Sequence, residues 1–429
     1  FKKLFFLNRS LTGEGNIKTL EILNNIVPIK IKKIKSGTKV YDWKIPPEWS
    51  IKDGYVKNGN GEKIIDWKKN NLQVVNYSQP IRKKNVSKTE IMSHIHTLPH
   101  HKDWIPYRTS YYNKSWGFCT TDRLLKSKKF KEPFEVCIDS SFNDQGSLIY
   151  GESFHKGKSS KEILISAYIC HPSMANDNLS GILTAVYLFN YIKKFKNFYS
   201  YRLVLCPETI GAIAFLKKLN KPKNIVGGCV ISTTAGPGTL SLKKSYQKNH
   251  FIDLLAEISV SKLEKNWIEY GFTPDGSDER QYSSPGFRIP IITISKSKYH
   301  EYKEYHTSAD NLKFVKAKSL MLSLKAYKEW FKLLEMNRIF ERKMKYCEYQ
   351  LGNKGLYPTL GGPRAELSKR TNLFRNITGE HIKAFGWIMH LADGRNSVLD
   401  MSLKSGIDYD IISESCDIFH KKDLLRVVQ

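Results

Sequence analysis

The 429-residue sequence lacks any apolar run long enough to cross a bilayer, and it lacks CxxC pairs. The first absence argues against a membrane protein. The cysteine total is odd, at seven, and several cysteines stand in or beside apolar runs such as LVLC and GGCVI. This usage is typical of reduced thiols packed as small hydrophobic side chains, so we expect a cytoplasmic protein.

Acidic residues are few beside basic ones, with 41 Asp and Glu against 69 Lys and Arg, a formal net charge of +28. Such an excess could attract nucleic acid, anionic lipid or an acidic glycan. The lysines, however, are spread along the whole chain, with only short clusters at 30–35 and 126–131. Because a dedicated nucleic-acid arm is more concentrated, we favour a compositional origin in an AT-rich genome.

The order of the predicted elements indicates an α/β protein with two additions. From about residue 134, apolar strand patterns alternate with helical ones, which predicts a mostly parallel sheet flanked by helices. Short β segments separated by Gly, Asn and Pro predict a small inserted β domain. Three helical patterns and a last strand predict a C-terminal winged helix. The predicted domains are a discontinuous catalytic domain (1–36 and 129–340), the inserted β domain (37–128) and the winged helix (345–429).

Polar residues follow several predicted strands at the points where the strands end. His171 comes directly after one strand, and Asp177 follows six residues later near the start of a helix. Glu208 ends the next strand, and His306 precedes the last long helix. Ligands of doubly wound sheets lie at the carboxyl ends of the strands, so we expect these side chains to converge. Imidazole and carboxylate are suitable zinc ligands, and Glu208 could serve as a general base.

Each of these residues also has an ordinary structural explanation. Asp177 and Glu208 could cap helix N-termini, and His171 could be a structural histidine before a proline. Ser308 or Asp310 could cap the long helix that begins near Asp310. If His306 binds a metal, Asp310 could instead orient its imidazole.

The loop TPDGSDERQYSSPGFRIP concentrates charge just before a strand. It is either a solvated turn or a substrate-binding loop, in which Arg280 would hold a carboxylate by paired hydrogen bonds. Tyr282 and Tyr305 are candidates for positioning the substrate or a developing oxyanion. Arg9 and Glu14, in the segment NRSLTGEG, are candidates for contact with a free substrate terminus.

Taken in order, these motifs resemble those of zinc aminopeptidases with co-catalytic metals. DNLSG (177–181) resembles the element whose Asp bridges the metals, and PETIG (207–211) resembles the Glu-Glu-x-Gly element that supplies the general base. GSDER (276–280) and YHTSAD (305–310) resemble the family's GSD loop and its terminal histidine ligand. Longer segments, such as YICHPSMANDNLSG and YCEYQLGNKGLYPTLGG, resemble a bacterial branch with an inserted β domain and a C-terminal winged helix. The resemblance covers nearly the whole chain.

Two positions depart from the two-metal pattern. Thr209 stands in place of the second Glu, and VISTTAG (230–236) has no Asp where the two-metal enzymes carry one. The resemblance therefore implies a single zinc ion held by His171, Asp177 and His306, with water in the fourth position. It implies hydrolysis of an amide or peptide bond with Glu208 as base, while acyl transfer and a second metal stay open.

The resemblance also bears on substrate and partners. This branch is associated with surface-polysaccharide or modified-sugar pathways, which makes a sugar or amino-acid conjugate as suitable a substrate as a peptide. The alternative is a nucleic-acid-binding regulator, or a scaffold, with a degenerate peptidase domain. Specific DNA binding usually needs a basic recognition helix, whereas YDIISESCDIFHKK carries acidic residues along its length and is basic only at its end, from His420 to Lys422. We therefore expect no nucleic-acid partner, and a role for the winged helix in packing or in a homo-oligomer.

Overall fold

The computed structural model describes residues 1–219, 221–356 and 379–428. The end of the motif YCEYQLGNKGLYPTLGG, from residue 357, lies outside the described residues. The chain divides into two compact units, Phe1–Trp330 and Phe331–Gln429.

The strands, in chain order, are β1 (Lys30–Lys35), β2 (Lys39–Val40), β3 (Trp43–Lys44), β4 (Glu48–Lys57), β5 (Lys63–Asp66), β6 (Ile81–Val86), β7 (Ile95–His96), β8 (Phe118–Cys119), β9 (Phe134–Asn143), β10 (Ser147–His155), β11 (Glu162–Tyr168), β12 (Ser200–Cys206), β13 (Ile225–Val230), β14 (Leu240–Lys243), β15 (Ile268–Tyr270), β16 (Ile291–Lys296), β17 (Ile339–Arg342), β18 (Asp393–Ser397) and β19 (Leu425–Val427). The α-helices are α1 (Lys2–Phe5), α2 (Glu14–Asn24), α3 (Lys88–Met92), α4 (Asp122–Leu125), α5 (Gly181–Ile192), α6 (Ile210–Lys218), α7 (Phe251–Ser261), α8 (Glu279–Tyr282), α9 (Ala317–Met336), α10 (Gly379–Leu391), α11 (Val398–Ser405) and α12 (Tyr409–Lys421). Short 3-10 turns lie at Asn71–Gln73, Pro222–Asn224 and Gly352–Lys354, and a π-type turn lies at Ala175–Ser180.

The main sheet has the strand order β1-β10-β12-β11-β13-β16-β14-β15. Its centre, β12-β11-β13-β16, is parallel. On one side, β10 is antiparallel to both β1 and β12, and on the other side β14 is antiparallel to β16 and parallel to β15. Every residue of β11 (EILISAY) is buried, as expected of a strand covered on both faces. The predicted mostly parallel sheet flanked by helices is confirmed.

The helices of this unit begin and end for local reasons. Apolar residues dominate α5 (GILTAVYLFNYI), and most of them are buried against β11 and β12. At α7, the side chain of Asp253 accepts hydrogen bonds from the backbone N–H groups of Ser245 and His250. The last long helix, α9, begins at Ala317 rather than near Asp310, because residues 307–316 form turns that carry side chains of the candidate site.

A second sheet, with the order β5-β4-β9-β6, is antiparallel and encloses its own apolar cluster, which includes Val56, Phe134 and Val136. Its longest ladder joins β4 to β9. Strand β9 lies after residue 128, the last residue of the predicted inserted domain, and it pairs here rather than in the main sheet. An alternating strand pattern does not specify its partner strand, and the predicted domain boundaries stay predictions.

The second unit is a winged helix, as expected. Strands β18-β17-β19 form an antiparallel sheet, and α10, α11 and α12 pack on one another. At α11, Ser397 and Asp400 form a capping box, and Gly406 ends the helix in the left-handed conformation at φ 68°. Among the described helices of the chain, none is both long and apolar enough to span a membrane.

We expect Gly228→Ala to lower the free energy of unfolding. Gly228 lies in β13 beside β11, and a Cβ there would stand 2.3 Å from the carbonyl oxygen of Leu164. Forcing a methyl group into a packed sheet costs about 1–3 kcal/mol. The matched control is Gly271→Ala, where a Cβ meets nothing within 4 Å. Urea unfolding of the two variants measures the difference, and equal midpoints would contradict this account of the packing.

Candidate metal centre

Three side chains from distant loops meet beyond the carboxyl ends of the central strands. His171 follows β11, Asp177 lies in the turn before α5, and His306 lies in the loop before α9. Asp177 Oδ2 lies 3.0 Å from His306 Nε2 and 4.0 Å from His171 Nε2. One ligand atom from each residue falls within 4.8 Å of the other two. The side chains of His171, Asp177 and His306 therefore lie close together in the structure.

Two of the atoms that face this point have no partner other than each other. Asp177 Oδ1 accepts a hydrogen bond from the Tyr168 hydroxyl at 2.5 Å. Asp177 Oδ2 and His306 Nε2 are buried and lie 3.0 Å apart, and among the described residues no further group satisfies them. Buried polar atoms are normally satisfied, so two ligand atoms at this separation with no third partner fit a cation that both would contact.

The protonation states suit a metal. Burial lowers the pKa of His171 to about 4, although the charge of Asp177 opposes the shift. Burial by itself would raise the pKa of Asp177, but the two imidazoles outweigh it, and that pKa falls to about 2. At neutral pH the group therefore offers a neutral imidazole and an ionised carboxylate, the forms that bind metals.

Asp310 holds the Asp177 loop rather than an imidazole or a helix end. Its carboxylate accepts hydrogen bonds from the backbone N–H groups of Asn176 at 2.6 Å and Asp177 at 2.9 Å, and from the Tyr302 hydroxyl at 3.1 Å. This corrects both expectations for Asp310, since α9 begins seven residues later. The local sequence gave no sign of these bonds, which join segments more than 130 residues apart.

Glu208 lies next to the three residues, with Oε2 3.8 Å from His171 Nε2. Burial, and then the charges of Asp278 and Asp177, raise the pKa of Glu208 well above its usual range. Burial likewise raises the pKa of Asp278 to about 7, although its carboxylate accepts the backbone N–H of Thr209 at 2.6 Å. Asp278 was not singled out from the sequence, and its place within GSDER was the available signal.

The inserted segment also reaches this site. The Tyr107 ring lies 5.3 Å from the ring of His171 and 5.2 Å from that of His306. The backbone N–H of Tyr107 donates to the carbonyl of His306 at 2.8 Å, and its hydroxyl lies 3.2 Å from that of Tyr111. The sequence assigned no role to Tyr107. The aromatic density of WIPYRTSYYNKSW was the only hint.

Two of the predicted substrate-binding residues lie at the centre. The guanidinium of Arg280 donates to Thr209 Oγ1 at 3.1 Å, and its Nε is buried without a partner among the described residues. The ring of Tyr305 stacks on His306 with centroids 4.0 Å apart. Their predicted roles stay predictions.

The other three lie elsewhere. Arg9 is fully buried behind the site, where its Nε donates to the carbonyl of His171 at 3.0 Å. Tyr282 is fully buried, and its hydroxyl pairs with Ser166 at 2.8 Å. Glu14 is exposed at the start of α2 and forms an ion pair with a lysine one turn later. The structure does not bring Tyr282 or Glu14 to the metal centre, and Arg9 supports it from beneath.

A family model described as a domain of unknown function, DUF4910, matches residues 1–337, and a winged helix-turn-helix model matches residues 338–427. The chain belongs to the DUF4910 family. It is 40% identical over 428 residues to a Clostridium acetobutylicum protein described as a polysaccharide biosynthesis protein with an aminopeptidase-like domain, covering 100% of this chain and 95% of that one.

Solved structures agree with this assignment. A Clostridium acetobutylicum crystal structure described as a peptidase superposes with a TM-score of 0.89 at 38% identity, covering 100% of this chain and 94% of that one. BSAP, a zinc aminopeptidase from Bacillus subtilis, superposes with a TM-score of 0.54 at 11% identity, covering 75% and 89%. The latter likeness shows the fold. The predicted aminopeptidase-like relationship of this DUF4910 chain is confirmed.

We expect Asp310→Ala to weaken Zn²⁺ binding about 10–100-fold, the usual effect of removing a group that orients a metal ligand. Without this carboxylate, the backbone of Asp177 loses the acceptor that fixes it. A competition titration against a chelating indicator measures the affinity. Asp144→Ala, at an exposed turn, is the control and should bind as the unmodified chain does. Unchanged affinity in Asp310→Ala would count against this role.

Proposed function

We propose that this chain is a zinc-dependent hydrolase of amide or peptide bonds, with one Zn²⁺ held by His171, Asp177 and His306. The observation that most supports it is the pair of buried ligand atoms Asp177 Oδ2 and His306 Nε2, which lie 3.0 Å apart with no other partner among the described residues and form one small group with His171. Three protein ligands leave a zinc position open for water or substrate. When bound, the ion supplies a Lewis acid that polarises a carbonyl and lowers the pKa of a water.

A single ion fits the surroundings better than two. Thr209 stands where the two-metal aminopeptidases carry a ligand, and it receives a hydrogen bond from the guanidinium of Arg280. A fixed positive charge beside that position opposes a second cation. The other candidate ligand group among the described residues is Cys170, His171 and Glu208, which shares His171 and so forms no separate site.

Glu208 is the proposed general base. It takes a proton from the attacking water and delivers it to the leaving nitrogen as the carbon–nitrogen bond breaks. Burial and the neighbouring carboxyl groups raise its pKa, which makes it a stronger base than an ordinary glutamate. Its carboxylate lies close enough to His171, at 3.8 Å, to act on a water at the same centre.

Arg280 and Tyr305 are the proposed contacts to the substrate. The unpaired Nε of Arg280 can donate to a carboxylate or to a developing oxyanion. Burial raises the pKa of the Tyr305 hydroxyl, with the charges of Asp177 and Glu208 adding to the shift. Tyr305 therefore stays a neutral donor at every physiological pH.

The proposed substrate is a peptide or an amino-acid or sugar conjugate of a surface-glycan pathway, in the cytoplasm. Its support is the description of the Clostridium acetobutylicum relative, which joins polysaccharide biosynthesis to an aminopeptidase-like domain. Acyl transfer to an acceptor other than water would use the same residues. The proposal includes no nucleic-acid partner, because α12 carries three acidic residues and its basic residues stand only in the last turn.

Replacing a ligand should remove the metal. We expect His306→Ala and His171→Ala to lose stoichiometric zinc, because two protein ligands hold the ion far less tightly than three. Elemental analysis after dialysis against a weak chelator measures the content. His390→Ala, an exposed histidine of the winged helix, should keep the full amount. Full zinc in both ligand variants would exclude this ligand set.

Replacing the base should separate binding from turnover. Glu208→Gln should keep zinc and lower kcat by about 10²–10⁴-fold, because the amide cannot accept the proton. Turnover is followed on a panel of aminoacyl p-nitroanilides and aminoacyl amino sugars. Glu21→Gln, exposed on α2, is the matched control. Normal kcat in Glu208→Gln would rule out its role as base.

A further inference from the structure

Three exposed aromatic residues lie on the inserted segment, and we call them the aromatic surface: Tyr41, Trp43 and Tyr112. They are 47%, 40% and 50% exposed, respectively. Trp43 and Tyr112 are in contact, with ring centroids 5.8 Å apart and planes at 63°. Aromatic rings normally occupy protein interiors, so their grouping in solvent indicates a binding surface.

The hairpin that carries Tyr41 and Trp43 has an unfavourable backbone conformation at Tyr41. Strands β2 and β3 are joined by a two-residue turn, and Tyr41 in that turn has a φ of 53°. This left-handed conformation favours Gly or Asn, and a bulky residue there is uncommon. The ring of Tyr41 contacts Phe287, at 6.3 Å between ring centroids, and the ammonium group of Lys217, at 4.9 Å from the centroid.

The chain segment that carries Tyr112 also reaches the candidate metal centre. Tyr107 contacts the rings of both His171 and His306, and its hydroxyl lies 3.2 Å from that of Tyr111. The next residue along the chain is Tyr112, which contacts Trp43. A single short segment therefore touches the proposed ligands at one end and forms part of the aromatic surface at the other.

Two further segments join residues that contact Tyr41 to residues of the candidate centre. Phe287, which contacts Tyr41, follows the loop that places Asp278 and Arg280 at the candidate centre. Helix α6, which carries Lys217, begins directly after Glu208 and Thr209. The aromatic surface is thus attached to the centre through three separate pieces of chain.

The chemistry of the surface matches a saccharide. A pyranose ring presents C–H bonds on one face, and the negative face of an aromatic ring attracts their partial positive charge. Two rings at 63° form an open corner in which a sugar can stack on one ring and touch the other. The bordering residues Asp42, Lys44 and Lys114 are exposed and can reach sugar hydroxyls. A protein interface would instead need a wider apolar core.

We propose that Trp43 and Tyr112 bind the pyranose ring of a sugar that is attached to the amide substrate. This rests on the proposed hydrolase function, and it narrows the substrate from a peptide or an amino-acid or sugar conjugate to a sugar conjugate. The sugar stacks on Trp43 and Tyr112, and the segment from Tyr107 to Tyr112 connects these rings to the centre at which the amide bond is hydrolysed.

Saccharide binding can be measured without turnover. The chain is labelled with 5-fluorotryptophan, and the Trp43 signal is identified among the eight tryptophans by its loss in Trp43→Phe. The probes are the methyl glycosides of glucose, N-acetylglucosamine and galacturonic acid. We expect at least one to shift the Trp43 signal saturably while the other tryptophan signals stay in place. The same shift should occur in Glu208→Gln.

Variants then test the geometry. Tyr112→Ala should weaken the response of Trp43 about 3–10-fold, since one of the two rings is lost. Tyr187→Ala removes an aromatic ring that is 49% exposed on α5, and it should leave the titration unchanged. An equal effect of both variants would overturn the proposed role of Tyr112.

Three further outcomes would overturn the proposal. They are no Trp43 shift with any of the three glycosides, equal shifts at several tryptophans, and a Trp43 shift that follows protein concentration instead of sugar. The failures of the two proposals are distinguishable. Hydrolysis of aminoacyl p-nitroanilides with a silent Trp43 would remove only the saccharide site. Sugar binding at Trp43 without amide hydrolysis would remove only the hydrolase.

Discussion

The arrangement of the site depends on keeping the carboxylate of Asp177 ionised inside the protein. Burial penalises a charge, and the same burial raises the pKa of Asp278 and of Asp310 to about 7. The pKa of Asp177 instead falls to about 2, because the imidazoles of His171 and His306 face its carboxylate. The loops at this end of the sheet must therefore bring His171 and His306 to the carboxylate of Asp177.

Each of the three facing residues is fixed through its backbone by a group from another part of the chain. Arg9, near the start, donates to the carbonyl of His171. Asp310 accepts the N–H of Asp177, and the N–H of Tyr107, from the inserted segment, donates to the carbonyl of His306. A metal site needs its ligands held within fractions of an ångström, and backbone clamps of this kind supply that precision. The inserted segment therefore contributes directly to the candidate metal centre.

The sequence predicted the parts of this arrangement that are local. Apolar strands followed by polar residues gave the sheet and the three facing side chains, because the end of a strand and the start of the next turn are neighbours in the chain. It could not supply the partner of β9, the bonds of Asp310 or the contacts of Tyr107, all of which join distant segments. Tyr282 and Glu14 lie in or beside predicted site motifs, yet neither reaches the centre. A position close to a motif in sequence does not decide whether a side chain faces the core, the solvent or the site.

At Thr209 the chain departs from the two-metal aminopeptidases that its motifs resemble, and this departure bears on the proposed single ion. In a two-metal aminopeptidase, a carboxylate there and a second cation neutralise one another. Here the carboxylate is absent, and the guanidinium of Arg280 donates to the threonine hydroxyl. A missing negative ligand and a neighbouring positive side chain both disfavour a second cation at this position. Arg280 would then hold the substrate by a directional hydrogen-bonding group where a two-metal enzyme uses an ion, which suits recognition of one particular conjugate better than of peptides at large.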